Sequence, residues 1–167
     1  GMDKNALCGR RGILLDHLEE WTGKGADIFS TVQRTFMLCD QMGYKEVDYD
    51  ADGLGAGVRG DARIINESRG IHDKITVNPF RGSGEVLHPD REMVRGRKNK
   101  DFFANRKAQA WWDLRIRFQN TFRAVVEGME VDRDQIISIP ATLKQKAKLS
   151  QELSQPTFSI NGAGKLL

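Results

Sequence analysis

The sequence has few cysteines and lacks long apolar runs. Its two cysteines, Cys8 and Cys39, lie far apart and in no Cys-x-x-Cys pair, which argues against a thiolate metal knuckle. We expect both to be reduced and partly buried in a cytoplasmic protein. No apolar stretch approaches the roughly 18 residues that a membrane span requires. The N-terminal "GMDKNALCGRR" is too polar for a signal peptide, so no membrane partner is expected.

The chain also lacks a recognisable nucleophile motif. Its three histidines, His17, His72 and His88, are scattered, and none is paired with a cysteine or serine in a known catalytic spacing. We therefore interpret each as structural or exposed.

Composition favours a single globular domain over residues 1–167, with 39% hydrophobic and 29% charged residues. The net charge is only +3, but residues 91–100 carry five Lys or Arg against one Glu. Such a run suits an acidic partner such as a phosphate backbone, or else a solvated surface. Residues 81–101 have the glycines and charge of a basic flexible loop or hairpin, and long loops are often functional.

Hydrophobic periodicity predicts an α/β protein. Strands and helices alternate in its first half, and this order favours a sheet with crossover helices. The predicted elements are a hairpin at 6–21 with its turn at 9–12, a helix at 25–43, a strand at 45–50, a helix ending near Gly70 and a strand at 72–80.

A long helix is predicted at 105–128, followed by a polar helix at 141–154 and a strand, turn and strand start at 156–167. In the long helix a broad stripe repeats at helical spacing, and we expect it to pack in the core. The stripe consists of Ala108, Trp111, Trp112, Arg115, Phe118 and Phe122. We expect the terminal Leu166 and Leu167 to lie without partners.

The stretch "EVDYDADGLGAGVRG" combines alternating acids with glycines. Strand alternation places Val47 and Tyr49 on one face and Asp48, Asp50 and Asp52 on the other. Such carboxylates repel unless solvent or cations relieve them, so the stretch is an acidic turn or a metal-binding strand tip. A phosphate cradle is disfavoured, because a dinucleotide fingerprint would need glycine at Val58 and no Lys-Ser or Lys-Thr follows.

Three stretches carry a family likeness: "VDYDADGLGAGVRG", "VNPFRGSGEV" and "NKDFFANRKAQAWWDLRIRF". They resemble the nuclease domain of large terminase subunits of tailed double-stranded DNA phages, most nearly the group including the short-tailed phages of enteric bacteria. The likeness runs from Asp3 to the end of the chain, and residues 99–118 are its most specific part.

The resemblance implies a ribonuclease H-like mixed sheet flanked by helices. Acidic strand ends in this family hold two divalent metals, Mg²⁺ or Mn²⁺, which activate water and stabilise the departing oxygen of a DNA phosphodiester. The full system joins this domain to a terminase ATPase domain and works with a small terminase subunit and a portal. The implied function is a metal-dependent endonuclease that cuts concatemeric double-stranded DNA in the cytoplasm of the bacterial host.

Carried over residue by residue, the resemblance places Asp50 on the family's second acidic position, with Asp52 assisting as a metal-site residue and Asp48 a bystander. It also implies that the first aspartate lies on a strand before Asp3 and the third acid beyond Leu167. The chain is therefore expected to lack the first strand and the C-terminal acidic segment. The residues expected to contact the DNA backbone are Arg91, Arg95, Arg97, Lys98 and Lys100.

An alternative function follows from that incomplete acidic set. The chain is then a catalytically incomplete prophage remnant that binds DNA or a packaging partner. Since a two-metal site needs several converging carboxylates, Asp50 and Asp52 alone are expected to bind Mg²⁺ weakly.

Overall fold

The computed structural model describes residues 4–22, 28–52 and 57–167, which form two compact units. The described part of the first unit comprises residues 4–7, 19–22, 28–52 and 57–82, and the second comprises 8–18 and 83–167. Strands β1 (Lys4–Arg11) and β2 (Leu14–Thr22) pair as a hairpin whose residues are divided between the units. The predicted hairpin is confirmed, but its turn lies at Gly12 and Ile13 rather than at 9–12, because Gly9 belongs to β1 and Gly12 adopts the positive φ of 58°.

The first unit contains a parallel strand pair with two helices. Helix α1 (Ile28–Met42) precedes strand β3 (Glu46–Asp50), and helix α2 (Val58–Glu67) connects β3 to strand β4 (Thr76–Phe80). The strands pair in parallel with Glu46 opposite Thr76 and Asp50 opposite Phe80. This is the strand, helix and strand crossover that the alternating pattern predicted.

A compact core holds these elements together. Val47 and Val77 pack against this core from the strands. Its buried residues come from both helices and from the position just before β4, and they are Val32, Phe36, Cys39, Ala62 and Ile75. Helix α1 ends as predicted at Gly43, where φ is 72°. The amide of Tyr44 donates to the Cys39 carbonyl at 2.8 Å and that of Gly43 to Asp40 at 3.3 Å, a Schellman motif.

The second unit is mainly helical. It contains α3 (Asn99–Phe102), α4 (Arg106–Val125), a 3₁₀ turn at Arg133–Gln135 and α5 (Lys146–Ser154). The side chain of Asn105 caps α4 by accepting from the amide of Ala108 at 2.9 Å. Ser138 bridges to the hairpin, since its carbonyl accepts from the amide of Leu15 at 2.9 Å.

The core of the second unit includes the chain's end. Leu166 is buried with Phe103 and Ala108, and its amide and carbonyl bond to Phe102 and Ala104 at 2.8 Å each. The expectation that Leu166 lies without partners is therefore wrong, while Leu167 is 51% exposed. Residues 156–167 form a turn with isolated bridges rather than the two strands expected.

Most side chains of the aromatic stripe on α4 lie outside the buried core. Ala108 is buried and Trp112 packs beside Phe102 and Phe103, but Trp111 and Phe118 are 39% and 37% exposed. Phe122 is 54% exposed. The burial of Trp111 and Phe118 was overestimated because an open cavity separates them from helix α5. Along the described residues, no helix is long and apolar enough to cross a membrane.

Candidate functional site

The acidic strand tip lies at the carboxyl end of β3. Val47 and Tyr49 are partly buried while Asp48 and Asp50 are exposed, so the predicted alternation holds along the strand. The amide of Ala51 donates to the Phe80 carbonyl at 2.9 Å, which continues the parallel pairing just past Asp50. Asp52 follows the strand and therefore belongs to the turn.

The carboxylate of Asp50 is oriented by its own turn. Its Oδ1 accepts a hydrogen bond from the amide of Asp52 at 3.0 Å, an Asx turn typical of a strand end. This contact engages one carboxylate oxygen of Asp50, whose side chain is exposed. Asp52 thus contributes its backbone to the position of Asp50. The glycines at 53 and 55 lie outside the described residues.

Asp48 and Asp50 line a common cleft in the first unit. The cleft encloses about 410 Å³ and is bordered by β1 residues 4–7, by α1 and by both strands of the parallel pair. The two aspartates stand two residues apart on one strand, roughly 6–7 Å between Cα atoms. Asp48, interpreted from the sequence as a bystander, therefore lies beside Asp50, whereas Asp52 does not line this cleft.

Donors for a metal are few in this cleft. Among the described residues, no group of three or more His, Cys, Asp or Glu side chains is close enough together to hold a metal ion. Asp3 lies outside those residues. The described carboxylates therefore fit part of a divalent-metal site rather than a complete ligand set.

Residues 81–101, which we call the basic segment, are held in place by the buried side chain of Asn99, which is 3% exposed. Its amide nitrogen donates to the carbonyls of Leu87 and His88 at 3.1 and 3.0 Å. Its oxygen accepts from the amide of Met93 at 2.9 Å. One side chain thus satisfies three backbone groups of the segment, and leaving them unpaired would be costly.

A second buried amide, Gln109 on α4, secures the same segment. It is 5% exposed, and its two polar atoms bond to the amide and carbonyl of Leu87 at 2.6 and 2.9 Å. This pairing reproduces the pattern that a neighbouring strand would provide. The backbone at 87–93 is therefore fixed from two sides.

The tip of the basic segment is a tight turn. Val94 and Arg97 form a bridge, the Arg97 amide donates to the Val94 carbonyl at 3.0 Å, and Gly96 has φ 79°. Positive φ at the third position alone is the signature of a type II turn, which favours glycine there. Met93 and Val94 pack on the core, so the exposed Arg95 is presented at a fixed point.

Of the five predicted DNA-contacting cations, three already contact other described residues through their side chains and two do not. Lys98 and Lys100 both pair with Asp90, at 3.2 and 2.8 Å, and the hydrogen bond from Lys100 is the main cause lowering the pKa of Asp90. Arg97 lies over the Phe102 ring at 5.0 Å. Within the described part of the chain, the side chains of Arg91 and Arg95 have no hydrogen bond or ion pair.

Comparison with solved structures gives a match across the whole chain. The nuclease domain of the large terminase subunit gp2 of bacterial virus Sf6 is 30% identical, with TM-score 0.86, and the match covers 100% of this chain and 71% of that one. The chain belongs to the family of phage large terminase nuclease domains. A point mutant of that domain with manganese and beta-thujaplicinol gives TM-score 0.86, and one with calcium gives 0.85.

No protein-family model matches this terminase nuclease domain, and no curated protein matches it either. The resemblance read from the sequence is nevertheless confirmed, as is the ribonuclease H-like α/β fold that it implied.

Sequence reasoning missed the buried amides of this terminase nuclease domain. Asn99 and Gln109 both lie inside the block that carried the family likeness, residues 99–118. A polar residue at a buried helical position is the signal that indicates such a role, because burial of an amide requires partners. Those partners, however, lie 6 to 22 residues away in a loop without periodicity.

Proposed function

We propose that this domain is a metal-dependent DNA endonuclease that cuts concatemeric double-stranded DNA during phage genome packaging. The observation that carries the proposal is the match over the entire chain, at 30% identity, to a nuclease domain of a large terminase subunit. The position of Asp50 adds chemical support, since an exposed carboxylate at a strand's carboxyl end beside a cleft suits metal chemistry.

Asp50 is proposed as a metal ligand and catalytic residue, with Asp52 as the second. Mg²⁺ or Mn²⁺ is the proposed cofactor, because carboxylate oxygens are the ligands these ions prefer. Structures of the related Sf6 domain contain manganese in one case and calcium in another. When bound, the metal supplies a nucleophilic water and charge neutralisation for phosphodiester hydrolysis.

This chain's own part in such a site is positional. The Asp52 amide holds the Asp50 carboxylate in one orientation, and the β3–β4 pairing carries the strand up to that point. Asp48 lines the same cleft and adds negative charge that a cation would offset. A two-metal centre needs further carboxylates than these, so the described residues supply only a share of it.

The basic segment is proposed to contact the phosphate backbone of double-stranded DNA through Arg91, Arg95, Arg97, Lys98 and Lys100. Arg91 and Arg95 lead this group, since the other three already contact described residues. Such contacts position DNA without reading sequence. We propose the terminase ATPase domain, the small terminase subunit and the portal as partners in the host cytoplasm.

A second candidate function rests on the sparse donor set. A catalytically incomplete remnant that binds DNA or a packaging partner would carry the same basic segment, and would bind DNA without cutting it. The observation favouring it is that the described residues hold no cluster of three metal-ligating side chains.

A plasmid nicking assay with Mn²⁺ on the 167-residue chain separates the two candidates. Nuclease function predicts chelator-sensitive nicking that Asp50→Asn abolishes and Asp52→Asn reduces. Glu67→Gln, at an exposed position on α2, is the matched control and is expected to nick normally. DNA binding without nicking, at any Mn²⁺ concentration, would contradict the nuclease and favour the remnant. Nicking that survives Asp50→Asn would remove Asp50 from the site.

A further inference from the structure

The second unit contains a large apolar groove that the nuclease proposal does not use. It encloses about 1170 Å³, and we call it the α4–α5 groove. One wall is a single face of α4, at spacings of three and four residues, and the other is a face of α5. The side chains that matter here are Trp111, Arg115 and Phe118 on α4, Leu149 and Leu153 on α5, and Phe158.

The groove exposes aromatic surface to solvent. Trp111 and Phe118 are 39% and 37% exposed, and Phe158 is 58% exposed although its ring lies 6.1 Å from that of Trp112. Most of the surface that lines the groove is apolar, and a concave apolar surface with exposed aromatic rings is a candidate interaction site. Aromatic residues, including tryptophan and phenylalanine, are also enriched at protein interfaces.

The size and shape of the groove favour a helix over a small molecule. Drug-sized ligands occupy pockets of roughly 300–1,000 Å³ that enclose most of their surface. This cavity is larger and lies open between two helices. An amphipathic helix that lays its apolar face between two such walls is a recurring mode of peptide recognition.

The charged side chains on the rim of the groove indicate which charge its binding partner carries. Lys107, Arg115 and Lys146 line the groove, and among the described residues no Asp or Glu lines it. Arg115 lies over the Trp112 ring at 4.7 Å, and none of the three cations has an ion pair with a described residue. Their charge is therefore available to a partner that brings carboxylates.

We propose that the α4–α5 groove binds an acidic amphipathic helix of a partner protein. The helix would place Leu or Phe side chains on Trp111, Phe118 and Leu153, and its flanking Asp or Glu side chains beside Lys107, Arg115 and Lys146. Single-stranded DNA fits less well, because the leucines of α5 offer no stacking surface for bases.

The test uses the folded 167-residue chain and labelled synthetic helices of roughly 18 residues, about five turns. One peptide carries Leu and Phe on one face and Glu on the other, and a second carries Lys in place of every Glu. Fluorescence anisotropy measures binding. The variants are Arg115→Glu with Lys146→Glu, and Phe118→Ser, all at exposed positions. Arg123→Glu is the control, exposed on α4 but outside the groove.

We expect saturable binding of the acidic peptide. The double variant should weaken its affinity at least tenfold and Phe118→Ser severalfold, whereas the affinity of Arg123→Glu should stay within about twofold of that of the parent chain. Equal binding of the Lys peptide would overturn the proposal, as would an equal loss in Arg123→Glu. Absence of saturable binding to the folded chain would overturn it too. If the double variant does not fold, the wild-type comparison of the two peptides decides. Preferential binding of a single-stranded oligonucleotide, lost in Phe118→Ser, would assign the groove to nucleic acid.

Discussion

Gln109 holds Leu87 by both its backbone amide and its backbone carbonyl. The side-chain oxygen accepts from the Leu87 amide at 2.6 Å, and the side-chain nitrogen donates to the Leu87 carbonyl at 2.9 Å. Asn66 holds Ile75 in the same way in the first unit, at 3.0 and 2.8 Å. In both units a side-chain amide on a helix therefore bonds both the backbone amide and the backbone carbonyl of one residue in another segment.

The first prediction concerns this clamp. Gln109→Glu keeps the shape and the acceptor but removes the donor to the Leu87 carbonyl, and it buries a charge. We expect a loss of about 1–3 kcal/mol in unfolding free energy, with faster hydrogen exchange at the Leu87 amide. Gln119→Glu, exposed on the same helix, is the control and is expected to change stability by less than about 0.5 kcal/mol. Unchanged exchange at Leu87 would contradict the clamp.

The second prediction concerns DNA affinity. Asp90 neutralises Lys98 and Lys100, so Asp90→Asn should free both cations and tighten binding to duplex DNA. Arg95→Gln should weaken binding and reduce the slope of log affinity against log salt by about one contact. Titration of a labelled duplex at several salt concentrations measures both effects. Arg123→Gln serves as the control cation, and a slope as sensitive to it as to Arg95→Gln would count against the basic segment.

The third prediction concerns the Arg69–Asp40 ion pair, which joins the α2–β4 connection to α1. The Arg69 guanidinium bonds both carboxylate oxygens of Asp40 and donates from Nε to the Asp73 carbonyl at 2.8 Å. Arg69→Lys cannot reproduce this fork, and a loss of about 1–2 kcal/mol is expected in urea unfolding. Arg63→Lys, in an exposed pair with Glu67, should cost less than about 0.5 kcal/mol.

The same pair predicts acid sensitivity. The hydrogen bond from Arg69 lowers the pKa of Asp40 below its ordinary 3.8, so the folded state favours the ionised carboxyl. This stability is present above the ordinary pKa and is lost as the pH falls through the lowered one. Stability of the parent chain should therefore fall more steeply below pH 4 than that of Arg69→Lys. Parallel curves for the two proteins would contradict the coupling.

The fourth prediction concerns Cys39, which is 1% exposed in the core of the first unit. Burial, and then the charge of Asp40, raises its pKa from 9.0 to about 11. The corresponding stability is complete below pH 9 and is lost as the pH rises towards 11. Cys39→Ala should flatten this alkaline slope strongly, whereas Cys8→Ala should flatten it less, because burial also raises the pKa of Cys8 but by a smaller shift.

Thiol labelling gives an independent check on Cys39. Both cysteines are free, but Cys8 is exposed and Cys39 is buried, so neither is partly buried as the sequence suggested. Iodoacetamide at pH 8 should modify Cys8 and spare Cys39 until denaturant is added. Equal labelling rates in the folded protein would contradict the burial of Cys39.

Local signals in the sequence predicted much of the fold. Gly43 ends α1 because only a left-handed residue closes that helix, and alternation along β3 separated Val47 from Asp48. Both features depend on neighbours within a few residues. Leu166 was misjudged because its partners, Phe102 to Ala104, lie more than 60 positions earlier and have no periodic relation to it.

The candidate site was predictable to a similar depth. Strand alternation and the family likeness both favoured Asp50, and its exposure in a cleft agrees with a ligand role. Sequence reasoning preferred Asp52 to Asp48 as its companion, while the structure places Asp48 along the same cleft. Which carboxylates converge depends on where the strand ends, and strand ends are set by pairing with β4 rather than by local preference.

The position of Leu166 has a consequence for how the protein forms during synthesis. The core of the first unit is assembled from residues between 32 and 75, so it closes while the ribosome is still making the remainder. The core of the second unit requires Leu166 against Phe103 and cannot close until Leu166 has emerged from the ribosome. Until then the aromatic residues of α3 and α4 remain uncovered, and this interval is when the chain is most open to aggregation.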